Sequence, residues 1–397
     1  MPKALPEHHV LTADQLRDCC ADIAQHSPVG FDTEFVGEDT YIPTLCLIQV
    51  ATPKALYVID PFVCGPLDDF WALLTDPARV TVVHAGREEV RICRHATGKP
   101  LGRMYDLQIA AGLLGYGYPM GFAALVQFGL RKRLDKGETL TDWRRRPLTN
   151  EQIAYAYNDV RDLLALHKKI DTGLTKLGRT AWAQEEFDDF IGRAVQEPSE
   201  AERWRKIKGS GGLDSRELAV LRAVFAWRDD AAARRNRPVR SVLRDDLLME
   251  LARRPPKTER DVMNLRGVQA NEAANILDAV TDALNSPHHL WPAEAEREND
   301  SPGVQLVSQL VNVVLADWCG RERLTQSLVA TVSDVKQLVR ATAAGEPLPE
   351  TCGFAHGWRK EHVLPMLKEV LEGRRALRVK SLTDDTPFEY GHVRPKS

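Results

Sequence analysis

Two carboxylates two residues apart, Asp32 and Glu34, interrupt the otherwise apolar run at 29–36 (VGFDTEFV). The β-branched and aromatic neighbours predict a strand, and side chains two apart on a strand point the same way, so both acids face one side. Asp159 lies in 150–170, where apolar positions recur at helical spacing. Tyr155 precedes it by four residues and therefore shares its helix face. A fourth acid, Glu89, sits in a separate segment, 84–90 (HAGREEV). A strand presenting Asp-x-Glu to a helix presenting Tyr-x-x-x-Asp is a cradle for hard cations. Magnesium takes oxygen ligands and retains water, so a few carboxylates can hold two such ions around a phosphate. The chemistry these residue types point to is metal-assisted phosphodiester cleavage.

The elements that must hold these residues can be read from the surrounding pattern. Up to about Leu174, strand-like segments at 29–36, 45–51, 55–60 and 80–85 are followed by helical ones. Three consecutive strands and then a helix predict an antiparallel stretch feeding a mixed sheet covered by helices. From Asp171 to Gly212 the periodicity weakens and ends in 208–212 (KGSGG), the composition of a flexible linker. Beyond it, 213–238 opens with an Asp/Ser cap and continues as an amphipathic helix, with further helical stretches at 242–254 and 259–268. The polar segment 293–303 reads as exposed, and helical periodicity resumes at 304–318.

Composition narrows the class. A chain of 397 residues is too long for one typical domain, and 43% hydrophobic with 27% charged residues suits a soluble globular protein. With a net charge of −3 there is no overall basic signature, so nucleic acid would have to be met by local patches such as Arg144–Arg146 or Arg234, Arg235, Arg237 and Arg240. Seven cysteines without a CxxC pair predict reduced thiols in a cytoplasmic protein. The first residues lack a charged stretch followed by an apolar one, and no run is long enough to span a bilayer, so neither export nor a membrane partner is expected.

Residues 32–35 (DTEF), 41–51 (YIPTLCLIQVA), 83–90 (VHAGREEV), 134–149 and 155–159 (YAYND) resemble, in that order, the motifs of the ribonuclease D family. That family lies in the DEDD exonuclease superfamily, in the subgroup with Tyr near the last Asp. The resemblance implies an α/β ribonuclease H-like exonuclease domain, a mixed sheet flanked by helices, over 1–174, and a connecting segment over 175–212. It further implies an all-α HRDC domain over 213–290, a linker over 291–303, a second HRDC-like domain over 304–380 and a tail over 381–397. The implied activity is a 3′→5′ exoribonuclease releasing nucleoside 5′-monophosphates, with RNA, and precursor tRNA 3′ ends in particular, as partner. Two Mg2+ ions, or Mn2+, are the implied cofactors, with no nucleotide cofactor.

By the same resemblance Asp32 would bridge both ions, Glu34 and Asp159 would ligate the nucleophile-side ion, and Glu89 would support the other. Tyr155 would orient the attacking water with Glu34 as its hydrogen-bond partner. Lys136, Trp143 and Arg146 fall in segments where a substrate-backbone role is expected, with packing the other reading of Trp143. One position departs from the pattern: the second motif reads His-Ala-x-x-x-Asp in the family, and Glu89 stands where Asp is expected. That leaves two alternatives, a catalytically weak or inactive RNA-binding protein and, since the superfamily includes them, a DNA exonuclease. His84 reads as a satisfied core or strand-end residue and Asp106 as a helix cap.

Overall fold

The computed structural model describes residues 4–134, 142–195, 203–294 and 300–393. Its N-terminal part comprises β1 (Glu7–Val10), α1 (Ala13–Ala24), β2 (Val29–Val36), β3 (Thr44–Ala51), β4 (Leu56–Ile59), α2 (Asp68–Leu74) and β5 (Val80–Val83). Then come α3 (Arg87–Thr97), β6 (Arg103–Asp106), α4 (Leu107–Gly112), α5 (Phe122–Leu130), α6 (Asn150–Arg161), α7 (Leu163–Lys176) and α8 (Thr180–Val195). The sheet order is β1-β4-β3-β2-β5-β6, with β4, β3 and β2 antiparallel and the remaining pairs parallel. β1 (EHHV) and β6 (RMYD) escape the pattern reading because, unlike the equally short β4 (LYVI) and β5 (VTVV), they are not apolar β-branched or aromatic runs.

β3 (TLCLIQVA) is almost uninterruptedly apolar because helices cover both of its faces. Ile48 and Val50 pack with Phe31, Phe70 and Trp71 on one side, and Leu47 and Ala51 pack with Tyr157, Val160 and Leu163 of α6 and α7 on the other. The β2–β3 register slips by one residue at the site: Glu34 pairs with Leu47 but Phe35 with Leu45, leaving Cys46 as a bulge.

The described parts of the segment expected as a connection, 175–195 and 203–212, are folded. α8 packs Ala183 and Phe187 into the sheet's core, and its buried face also carries Glu186, which interrupts the apolar stripe that would have announced the helix. Trp204 is buried in the core of the following helices, and Ser210 Oγ donates to Arg205 O at 2.6 Å, so the glycine-rich stretch is folded back into turns.

Two helical units follow. The first is α9 (Ser215–Arg235), α10 (Val239–Val242), α11 (Asp245–Arg253), α12 (Glu259–Met263) and α13 (Ala273–Asn285). The second is α14 (Pro302–Glu322), α15 (Gln326–Val329), α16 (Val332–Ala344), α17 (Gly357–His362) and α18 (Leu364–Leu371). Each begins with a 21-residue helix ended by a left-handed cap, Asn236 or Arg323, and continues with a four-residue helix. Their cores differ. The first has its own, around Leu221, Val224, Leu248 and Ile276, whereas Val311, Leu315, Leu338 and Trp358 of the second join the core of α6 and α7. Within the stretch read as a tail, β8 (Phe388–His392) pairs antiparallel with β7 (Arg375–Val379). These strands are half-exposed and charged, which leaves no alternating pattern to read. All seven cysteines are free thiols. Among the described residues no helix is long and apolar enough to cross a membrane.

Candidate active site

Asp32 and Glu34 project from β2 on the face covered by α6 and α7. Gly30, two residues earlier on that face, lets α7 come close: a Cβ there would stand 3.1 Å from Leu163 Cδ1 and 3.1 Å from Ala51 Cβ. α6 is started by a capping box in which Thr149 and Gln152 satisfy each other's backbone N–H groups, which fixes the turn on which Tyr155 and Asp159 follow. Asp32, Glu34, Tyr155 and Asp159 converge on one cavity of about 180 Å3, walled by Phe31, Leu163, His84 and Phe122. His84 meets Met120 O through Nε2 at 2.9 Å, so it is a satisfied strand-end residue and a cavity wall together.

Glu89 is not in the cavity lining. It is buried on α3 and accepts a hydrogen bond from Thr33 Oγ1 at 2.9 Å, a contact that ties it to the residue between Asp32 and Glu34. The β5–α3 turn that delivers it contains Ala85 at φ 57°, held by Asp106, which accepts from Gly86 N at 2.9 Å and Ala85 N at 3.3 Å. Asp106 caps α4 as expected, accepting from Gln108 N at 2.8 Å, and its second role was not foreseen.

Four acids in one neighbourhood repel one another. Burial, then the charges of Asp159 and Glu89, push Glu34 up to about 8. Burial lifts Asp159 to about 7 against the lowering effect of its hydrogen bond from Tyr155, and burial lifts Glu89 to about 7. Burial followed by Glu89, Asp159 and Glu34 raises Asp32 well above the usual carboxylate range. The Tyr155 hydroxyl is also raised, by burial and then by Asp159, to which it donates. Its partner is therefore Asp159, four residues away on the same helix face, and not Glu34. Among the described residues no three carboxylate, imidazole or thiol groups stand close enough to enclose an ion as the side chains lie. Acids held this close either keep protons or share a cation, and a carboxylate set of this kind is the donor chemistry of Mg2+ or Mn2+.

The expected substrate residues fare differently. Lys136 lies outside the described residues. Trp143 is buried, its ring 5.9 Å from that of Tyr155, and serves packing. Arg146 is corrected outright, because a guanidinium has five N–H donors and all are used internally. Nε donates to Asp60 Oδ2 at 2.5 Å, Nη2 to Asp60 Oδ1 at 3.0 Å and to Cys46 O at 2.8 Å, and Nη1 to Trp143 O at 2.7 Å and Arg145 O at 2.9 Å. Arg146 thus clamps the bulge residue beside Glu34, and no donor remains for a phosphate. The basic clusters are similarly engaged: Arg144 pairs with Asp142 and Asp39, Arg234 with Asp230, and Arg235 with Glu272.

Comparison with known proteins identifies the chain's relatives. A 3′-5′ exonuclease profile matches residues 8–175 and an HRDC domain profile matches 217–284. A ribonuclease D of Sphingobium indicum is 34% identical over 386 residues, spanning 94% of this chain and 97% of the relative. A ribonuclease D of Nitrobacter hamburgensis is 32% identical over 358 residues, spanning 89% of this chain and 92% of the relative. The crystal structure of Escherichia coli RNase D, described as an exoribonuclease involved in structured RNA processing, superposes with a TM-score of 0.82 at 27% identity, covering 93% of this chain and 99% of that one.

Proposed function

The chain belongs to the ribonuclease D family, and from that premise we propose that it is a metal-dependent 3′→5′ exoribonuclease that releases nucleoside 5′-monophosphates, with 3′ extensions of precursor tRNA as its substrate class. The observation that carries this reading is the meeting of Asp32, Glu34, Tyr155 and Asp159 in one small cavity. Cations held there need an accessible scissile phosphate, which favours a single-stranded terminus. The role of the Escherichia coli relative in structured RNA processing supports a folded RNA whose 3′ end alone enters the site. The seven free thiols suit a reducing, cytoplasmic setting.

Two divalent cations fit the donor set, and Asp32, Glu34, Asp159 and Glu89 would hold them. When bound, such ions supply an activated water and stabilise the leaving 3′ oxygen. Tyr155, whose phenol sits above its ordinary pKa, stays protonated at neutral pH and orients groups in the cavity instead of removing a proton. Asp159 holds that hydroxyl while remaining available as a ligand. Phe122 and His84 wall the site against bulk water. Thr33 holds the longer Glu89 side chain by one carboxylate oxygen.

A second reading, a weak or inactive RNA-binding protein, is favoured by one observation: Glu89 is anchored to Thr33 and does not line the cavity. Digestion of a precursor tRNA with a short 3′ trailer, in Mg2+ and then in Mn2+, separates the two. Stepwise 3′ shortening by the wild type, lost in Asp159→Asn with RNA binding retained, is the expected outcome. Activity confined to Mn2+ and recovered in Mg2+ by Glu89→Asp would locate a deficit at Glu89, since octahedral Mg2+ tolerates poor ligand geometry badly. RNA bound but not shortened in either metal would establish the second reading.

A further inference from the structure

Gln49 is the residue directly opposite Asp32 in the β2–β3 register. It is fully buried, and neither atom of its amide has a hydrogen-bond partner among the described residues. The same cross-strand row continues through Val58 of β4 to His9 of β1, whose Nε2 is also buried without a partner. On either side of Gln49 along β3, Leu47 and Ala51 face the same apolar core under α6 and α7. A saturated side chain would fit that core, whereas a buried amide with both atoms unpaired is costly. Stability therefore does not account for glutamine at this position.

Its geometry relative to Asp32 does. Cβ atoms of directly opposed residues stand about 4.5–5.5 Å apart, within reach of a glutamine amide. Asp32 accepts only the backbone N–H of Thr33, at 3.0 Å on Oδ1, among its hydrogen bonds within the described residues. An uncharged donor can orient a carboxylate without displacing a cation from it, which a lysine or arginine in the same place could not do. We propose that Gln49 is a positioning residue: when cations load the site, a turn of its side chain brings the unpaired amide N–H to donate to Asp32, fixing which carboxylate oxygen is presented to them. This rests on the metal-dependent reading above.

The test uses the full-length protein with Gln49→Met and Gln49→Leu. Mn2+ binding is followed by calorimetry without RNA, melting temperature is measured in chelator, and kcat and KM are measured on the trailer RNA. Mn2+ affinity and kcat are each expected to fall on the order of tenfold, with KM within about twofold of wild type. The melting temperature in chelator is expected to hold or to rise by about 2–4 °C, because an unpaired amide has been removed from the core. Wild-type Mn2+ affinity and kcat in both variants would overturn the inference. So would a fall in melting temperature that tracks the lost activity, since that is the mark of a packing residue. A wild-type protein that binds no Mn2+ would instead overturn the metal-dependent reading on which the inference stands.

Discussion

Glu34 at about 8 and Asp159 and Glu89 at about 7 hold protons in the fold that the unfolded chain, with carboxyl values of 3.8 for Asp and 4.5 for Glu, would already have released. Between those limits the folded state binds more protons than the unfolded one, so stability falls as pH rises. The contribution is complete below about pH 4 and is lost as pH passes through 7 to 8. In chelator, the melting temperature should therefore decline from pH 5 to pH 8.5. Mn2+, which binds the deprotonated acids, should reverse that decline at the alkaline end. A melting temperature flat in pH without metal would mean that the four acids are less closely coupled than their burial implies.

At the scale of elements, the site depends on how β2, β3 and the segment before α6 are locked together. Arg146 does this by joining Asp60, buried at the end of β4, to the carbonyl of the bulge residue Cys46. Removing one partner of a buried pair leaves the other uncompensated, so Arg146→Ala should destabilise the protein by about 3–5 kcal/mol in urea unfolding. Arg146→Lys should recover only part of this, because an ammonium cannot reproduce the planar fork of donors. Turnover should fall in both variants, since the bulge is where Glu34 leaves the regular ladder. Unchanged unfolding in Arg146→Ala would show that the clamp contributes nothing.

The whole molecule brings both helical units against loops that flank the cavity. From the first unit, Asp229 accepts from Tyr41 Oη at 2.8 Å and Asn236 Oδ1 from Tyr41 N at 3.2 Å, holding the β2–β3 loop. From the second, Ser327 Oγ donates to Tyr118 O at 2.5 Å and Thr325 N to Gly112 O at 3.0 Å, bracing the stretch that leads to Met120 and His84. Because the arginine clusters on these surfaces are paired with acids, few are free to neutralise phosphates. Six to ten phosphate contacts would cost roughly 10³–10⁵ in affinity between 50 and 200 mM salt. Here the loss over that range should be nearer to tenfold, as read by filter binding of the trailer RNA to Asp159→Asn. A thousand-fold loss would mean that the intramolecular arginine pairs open to RNA.

Asp32 with Glu34, and Tyr155 with Asp159, were legible in the sequence because each pair is local: a period of two on a strand and four residues on a helix fix their common faces before any tertiary contact forms. The helical stretches at 213–238 and 304–318 were legible for the same reason, through periodicity and, in the first, its Asp cap. What only the tertiary structure decided depends on register and packing between distant segments. Gln49 lies opposite Asp32, Glu89 is held by Thr33, Arg146 is turned inward to Asp60 and Cys46, and α8 is packed into the core by Ala183 and Phe187 with its buried Glu186 accepting from Trp358 Nε1. A single slip of one residue between β2 and β3 would undo the first of these without altering a letter of the chain. Local pattern specifies which face a side chain takes, but which partner waits on that face is set by the sheet as a whole.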